Sequence, residues 1–517
     1  MLSRDSDTTY ESLRDGFRWN LPLRYNLGVD VADRQPRNSP AIITTDGRHA
    51  TGHMTFGELA DDSSRLANAL SHRGVASGDR VGIILPQRAE TVVAHIAVYK
   101  LGAIAVPLSI LFGPEALAMR LVDAGAVAVI GETEPLERVR SLGLDVWAID
   151  ADRDLPTILS NSSASFTAAD TRPHTPALII YTSGTTGPPK GALHGHRILF
   201  GHLPGVEISH EFFPQPGDLF WTPADWAWIG GLFDVVMPAL HHGRPVVAFR
   251  ASRLDPEQAF DLIEGLGVRN LFLPPTALRM MRQTPHRTVQ LRSVGSGGES
   301  LGADLLDWGR EKLGVTINEF YGQTEANVVL SNCSSLFPVR PGSMGRAVPG
   351  HDVRIIDGQV GVRADGDPVV FLGYWNKPEA TAQKVRDGWL LTGDVAEMDD
   401  DGWFRFIGRT DDVISSGGYR IGPGEIESCL ATHPAVAVAA VIGVPDPIRG
   451  AVIKAFVVPA DGIEPTDALA AELQSHVKDR LAAYEYPRQI EFIESLPMTT
   501  TGKIRRGALR SREAEPG

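Results

Sequence analysis

The chain has 517 residues, 43% hydrophobic and 22% charged, with 49 Lys+Arg against 63 Asp+Glu for a formal net charge of −14. That length exceeds one ordinary core and predicts more than one domain. The acidic balance, with no long basic run, argues against nucleic acid as a partner, and the lack of any run of about 18 apolar residues argues against a membrane-spanning helix.

In chain order, the opening "MLSRDSDTTYESLRDGF" is polar and mixed in charge, unlike a secretory signal. "DRVGIILP" (79–86) reads as a buried strand, "AETVVAHIAVYKLG" (89–102) as a helix with Gly102 at its carboxyl cap, and "AIAVPL" (103–108) as a strand again. "AVAVIG" (126–131), "ALIIYTSG" (177–184) and "NLFLPPT" (270–276) repeat the theme. This βαβ rhythm predicts an α/β fold, a large N-terminal domain of parallel sheets covered by helices. From about residue 340 glycine turns and short strands dominate, as in "VRIIDGQVGVRADGDPVVFLGYW" (353–375), which predicts a β-rich subdomain over 340–410. Helix 424–432, strands 435–442 and 451–458, and helix 466–482 then compose a small α+β domain. The expected boundaries are 1–410 and 411–517. Cys333 and Cys429 lie far apart and read as reduced structural thiols, which suits a cytoplasmic protein.

The stretch "YTSGTTGPPKG" (181–191) follows an apolar strand, where ligands of parallel α/β sheets sit. Its backbone N–H groups and the hydroxyls of Thr182, Ser183, Thr185 and Thr186 can donate to phosphate oxygens. Gly184, Gly187 and Gly191 allow close approach, and Lys190 supplies a cation. The spacing is not that of the common phosphate loop, since two prolines separate Gly187 from Lys190.

The same stretch resembles the signature of the acyl-adenylate-forming enzymes, which include acyl-CoA synthetases and the adenylation domains of peptide synthetases. Further motifs stand in that family's order: "SGGES" (296–300), "YGQTEAN" (321–327), "TGD" (392–394), "GRTDDVISSGGYRI" (408–421) and "PMTTTGKIRR" (497–506). The resemblance implies that Gly298, Glu299 and Ser300 wrap the adenine, with Tyr321 stacking on it beside Gly322, Gln323 and Thr324. It implies that Glu325 ligates Mg2+, a hard ion suited to carboxylate oxygen, and that Asp394 and Arg409 hold the ribose. Lys503 would bridge the acyl carboxylate and the α-phosphate, with Arg420 as a second cation. Asp411 would be the hinge of a mobile C-terminal domain, and Gly418 would border the tunnel for coenzyme A. The implied reaction has two steps. A carboxylate attacks the α-phosphate of ATP to give acyl-adenylate and pyrophosphate, and the thiol of CoA then displaces AMP. Two anions meet in the first step, so positioned cations are needed.

"ADWAWIGG" (224–231) resembles the acyl-pocket segment of acetyl- and medium-chain acyl-CoA synthetases. Gly322 stands where acetate enzymes carry a tryptophan, and Gly230 and Gly297 stand where larger side chains narrow the acetate pocket. These glycines predict a wide, deep slot unless neighbouring side chains refill it, with Trp226, Trp228 and Phe233 as candidate walls. The expected acid is medium-chain, branched or aromatic, with acetate or propionate as the alternative. A free-standing enzyme that loads a carrier protein is the alternative to a CoA ligase, and a non-catalytic AMP-binding protein is a third class. The lysine motif also resembles the family's acetylation target, so a lysine acetyltransferase and deacetylase acting on Lys503 are expected partners. An oligomer is compatible with the sequence.

Overall fold

The computed structural model describes the whole chain except residues 1, 3, 6, 150–154, 183–188, 252–253, 285, 366, 417–418, 447–449, 482–484, 500–502 and 515–517. It is a mixed α/β protein with two compact units. The first comprises 1–182, 189–352 and 362–390. The second comprises, among the described residues, 353–361 and 391–517.

The first unit is built on two sheets. In one, the strand order is Gly373–Tyr374, Lys190–Gly195, Pro176–Thr182, Ile104–Pro107, Arg80–Ile84, Ala126–Gly131 and Asp145–Ala148. The last five of these run parallel, and Lys190–Gly195 folds back antiparallel on Pro176–Thr182. All four residues of Ile104–Pro107 are buried, as a parallel strand covered by helices on both faces requires. The expected helix is Ala89–Lys100. It ends because Gly102 takes a left-handed φ of +69°, a conformation that glycine adopts without penalty.

In the second sheet, Asn318–Gln323, Ser293–Ser296, Asn270–Phe272, Phe220–Trp221, Val246–Ala248 and Pro40–Thr45 are parallel neighbours in that order. Asn327–Ser331 turns back antiparallel on Asn318–Gln323. Motif-bearing segments of this unit leave the carboxyl ends of these strands, so the sequence-predicted loops fall where parallel sheets place ligands.

The strand Trp389–Met398, which belongs to the second unit from Leu391 on, forms an antiparallel hairpin with Phe404–Arg409. Beyond it, Val436–Asp446 pairs antiparallel with Gly450–Pro459, which pairs parallel with Gln489–Phe492. The helix expected over 466–482 is the shorter Asp467–Lys478, because its buried stripe of Leu469, Leu473 and Val477 stops there. The core beneath it is aliphatic, with Ile426, Leu430, Val441, Ala455 and Val457 essentially inaccessible. Cys333 and Cys429 are free and buried. Among the described residues, no helix is long and apolar enough to cross a membrane.

Candidate active site

Residues 183–188 of the stretch expected to hold phosphate, with Ser183, Gly184, Thr185, Thr186 and Gly187, lie outside the described residues, as does Gly418. The two ends of the loop are fixed. Thr182 and Lys190 face each other across the hairpin, and the Thr182 hydroxyl donates to the Lys190 carbonyl at 3.3 Å. The Lys190 ammonium lies 5.3 Å from the centre of the Tyr374 ring, a cation–π distance. The hydroxyl of that tyrosine donates to Glu325 Oε1 at 2.5 Å. One side chain thus connects the loop lysine with the expected metal carboxylate, 135 positions apart in sequence. Sequence reasoning missed Tyr374, which sits in the plain glycine-aromatic stretch "FLGYW".

Glu325 is buried. With one oxygen taken by Tyr374, the other remains for a cation. Among the described residues no group of three or more metal-ligating side chains gathers. A single carboxylate fits a hard ion that takes its remaining oxygens from phosphate and water.

The segment expected to wrap the adenine follows the strand Ser293–Ser296. Gly298 has φ +93°, and the place of its missing β-carbon is open space. The Glu299 carboxylate accepts from the Thr276 hydroxyl at 2.9 Å and from Arg279 at 3.1 Å, which fixes it from the neighbouring helix Pro275–Arg282. Tyr321, Gly322 and Gln323 end the strand Asn318–Gln323, and Lys384 Nζ donates to Gln323 Oε1 at 3.0 Å. Thr324 is held by its backbone through the ring of buried His194, whose burial pushes its pKa down to about 3 and keeps it neutral. Glu319, two residues before Tyr321, is buried. Desolvation pushes its pKa up to about 8, against a hydrogen bond from the Leu301 backbone that favours the ionised form.

The slot expected from three glycines is narrowed in a specific way. A β-carbon on Gly230 would meet the Phe272 ring at 3.0 Å, and one on Gly297 would meet the Phe320 ring at 2.9 Å. The two rings are neighbours, with centroids 5.4 Å apart. A β-carbon on Gly322 would lie 2.0 Å from the Asn327 carbonyl oxygen and 3.0 Å from Val328 Cα. The absent side chains are therefore replaced by two aromatic rings and by the backbone of the adjacent strand. Trp228 packs edge-on against Phe112 at 5.8 Å, and Trp226 and Phe233 are buried core residues.

In the second unit the register sets Asp394 opposite Arg409, and Arg409 Nη1 donates to Asp394 Oδ1 at 2.8 Å. Arg409 Nε also lies 3.4 Å from Asp411 Oδ1. The two expected ribose residues and the expected hinge are thus one charged cluster. Asp412, which sequence reasoning passed over, is buried and receives Arg506 at 3.4 Å and Arg510 at 2.8 Å, while Arg506 also grips Glu427 at 2.5 Å. Burial raises the Glu427 carboxyl above its usual range, and Arg506 offsets part of that. Lys503 is exposed. Its backbone N–H donates to Thr499 Oγ1 at 3.0 Å, and its ammonium has no ion pair among the described residues. Arg420 lies opposite Ser415 in the short pair Ile414–Ser416 and Tyr419–Ile421.

Residues 29–375 match the family model of the AMP-binding enzyme, and 425–503 match that of the AMP-binding enzyme C-terminal domain. The mouse mitochondrial acyl-coenzyme A synthetase ACSM4 is 34% identical over 95% of this chain and 91% of its own length. The acetyl-coenzyme A synthetase of Bacillus subtilis is 34% identical over the same shares. Among solved structures, an acyl-CoA synthetase from Brucella canis is 33% identical, with a TM-score of 0.74 over 98% of this chain and 99% of that one. The anthranilate CoA ligase AuaEII, in complex with anthranoyl-AMP, is 29% identical, with a TM-score of 0.86 over 96% and 98%.

Proposed function

We propose how this chain, which belongs to the AMP-binding enzyme family and is an AMP-forming acid–thiol ligase with ATP as a substrate, divides the work among its residues. The observation that carries the reading is the Lys190–Tyr374–Glu325 connection, which sets a cation and a buried carboxylate at the two ends of one tyrosine.

Lys190 and the hydroxyl-rich loop beginning at Thr182 hold the β- and γ-phosphates, the leaving group of the first step. Tyr321 and the 298–300 segment receive the adenine, and Glu299 is kept in place by Thr276 and Arg279. Asp394 accepts from the ribose hydroxyls while Arg409, already paired with it, holds its orientation. Glu325 would hold Mg2+, which when bound neutralises charge on the phosphates. Lys503 neutralises the meeting of carboxylate and α-phosphate. Residues 411–517 then turn about Asp411, withdraw Lys503 and bring the Gly418 segment to the thiol of CoA. Arg420 is the second cation of the first arrangement.

The acid is a compact branched or aromatic one, rather than a long straight chain. Phe272 and Phe320 take up the space beside Gly230 and Gly297, which shortens the slot and gives it aromatic faces. The ammonium of Lys503 is exposed, which suits an acetyltransferase, and neutralising it stops the first step. A cytoplasmic site of action suits the two free, buried cysteines.

The test incubates the enzyme with ATP, Mg2+ and a panel of acetate, butyrate, octanoate, benzoate and phenylacetate. Pyrophosphate release is followed first, and the thioester after CoA is added. Release with benzoate or a branched acid, followed by its CoA thioester, is expected. A thioester formed only on a carrier protein contradicts the CoA assignment, and preference for octanoate contradicts the compact pocket.

A further inference from the structure

Beside the acyl segment lies a buried polar pair that the reaction above leaves unused. His202 Nδ1 meets Asp234 Oδ1 at 2.7 Å, with the two side chains 1% and 8% exposed. Oδ2 of Asp234 accepts no hydrogen bond from any described residue. It lies 3.6 Å from the point a β-carbon on Gly230 would occupy, and the Phe272 ring closes on that same point at 3.0 Å. Glycine at 230 therefore leaves no side chain of its own between a carboxylate oxygen and an aromatic ring.

Such a pair is poorly explained by stability. Apolar residues of similar volume commonly serve a core as well as a buried ion pair or better, and a buried acceptor left without a donor costs free energy. Burial holds the Asp234 carboxyl above the usual range, and His202 offsets this in part. The pair is also asymmetric. His202 is the more enclosed member, with Nε2 buried and unpartnered, so the accessible edge belongs to Asp234. An acceptor without a donor of its own, beside an aromatic wall, calls for a donor on the ligand.

We propose that Asp234, oriented by His202, is a specificity-determining residue that accepts a hydrogen bond from a hydroxyl group on the acyl chain, so that the preferred acid is a hydroxy-substituted carboxylic acid. The inference rests on 224–231 being the acyl segment, as proposed above. A hydroxyl is favoured over an ammonium because the single carboxylate is already shared with His202. A charged donor among Phe272 and its neighbours would be left short of partners, whereas a neutral hydroxyl needs one acceptor.

The experiment uses the full chain and matched acids: butyrate with 3- and 4-hydroxybutyrate, and benzoate with 3- and 4-hydroxybenzoate. The readout is kcat/KM for pyrophosphate release, taken as the ratio of each hydroxy acid to its parent. At least one ratio of about tenfold or more is expected, the discrimination of one buried hydrogen bond. Asp234→Leu should bring that ratio to about one. Gly230→Ala, which places a methyl between Oδ2 and Phe272, should lower it roughly tenfold, and it decides the matter if Asp234→Leu does not fold. Ratios near one in the parent enzyme, a preference that survives both substitutions, or a preference for amino acids in place of hydroxy acids would each overturn the proposal. Parent acids turned over without hydroxyl preference defeat this inference alone. No pyrophosphate from any acid defeats the roles under Proposed function as well.

Discussion

Gly322 carries the sharpest consequence at the scale of single residues. Its missing β-carbon coincides with the Asn327 carbonyl, at 2.0 Å, in a hairpin whose second strand begins at Asn327 with φ +63°. Any side chain there moves Asn327 and Val328, and with them the Gln323–Thr324–Glu325 segment. Gly322→Trp is therefore expected to lower kcat/KM for octanoate and acetate together, leaving their ratio unchanged. Gly322→Ala should destabilise the protein by about 1–3 kcal/mol, the usual cost of overpacking. Rates for both acids in parent and variant check this. A fall for octanoate alone, with acetate spared, would mean the residue bounds the acyl chain directly.

Two elements invite tests of their own. The strand Asn318–Gln323 carries Glu319, with a folded-state pKa of about 8 against a reference of 4.5. Between those values the folded chain keeps a proton that the unfolded chain has lost. Its contribution is fully present below about pH 4.5 and is lost as pH rises through about 8, at up to roughly 1.4 kcal/mol per pH unit. Glu319→Gln should flatten that slope and raise stability at pH 7.5, read from urea unfolding across the window. An unchanged slope in the variant would assign the dependence elsewhere. In the second unit, Arg506 links Asp412 to Glu427, with the three side chains 19%, 9% and 13% exposed. Arg506→Ala leaves the Glu427 carboxylate without its cation and Asp412 with Arg510 alone, and it is expected to cost about 3–5 kcal/mol. Unfolding of the purified variant measures it, and a loss under about 1 kcal/mol, the range of an exposed pair, would show that water replaces the cation.

These elements also show what was legible in the sequence. Strands such as Arg80–Ile84 and Ile104–Pro107 are buried on both faces and so appear as bare apolar runs. The helix Ala89–Lys100 between them ends at a glycine that only a left-handed turn explains. Lys190, Glu325, Asp394 and Arg409 were marked by motifs. Tyr374 and Asp412 were not, because their meaning lies in partners 49 and 94 positions away, which no local pattern records. Gly230, Gly297 and Gly322 were visible as expected pocket positions, but a glycine in sequence does not say whether a ligand, a ring or a backbone takes its space. Phe272, Phe320 and the Asn327 carbonyl answered that.

For the whole molecule, the central claim is that one chain performs two half-reactions with different cations in play, turning about Asp411 between them. Fixing φ near −65° with Asp411→Pro should damage the two half-reactions unequally, and equal, undiminished rates in both would move the hinge elsewhere. The most direct measurement is on Lys503→Ala. Pyrophosphate release from acid and ATP is compared with thioester formation from supplied acyl-adenylate and CoA, in parent and variant. Loss of the first by about a hundredfold or more, the scale of a positioned charge in a transition state, with the second retained, is the predicted result. Equal loss in both half-reactions, or adenylation that survives the substitution, would contradict it.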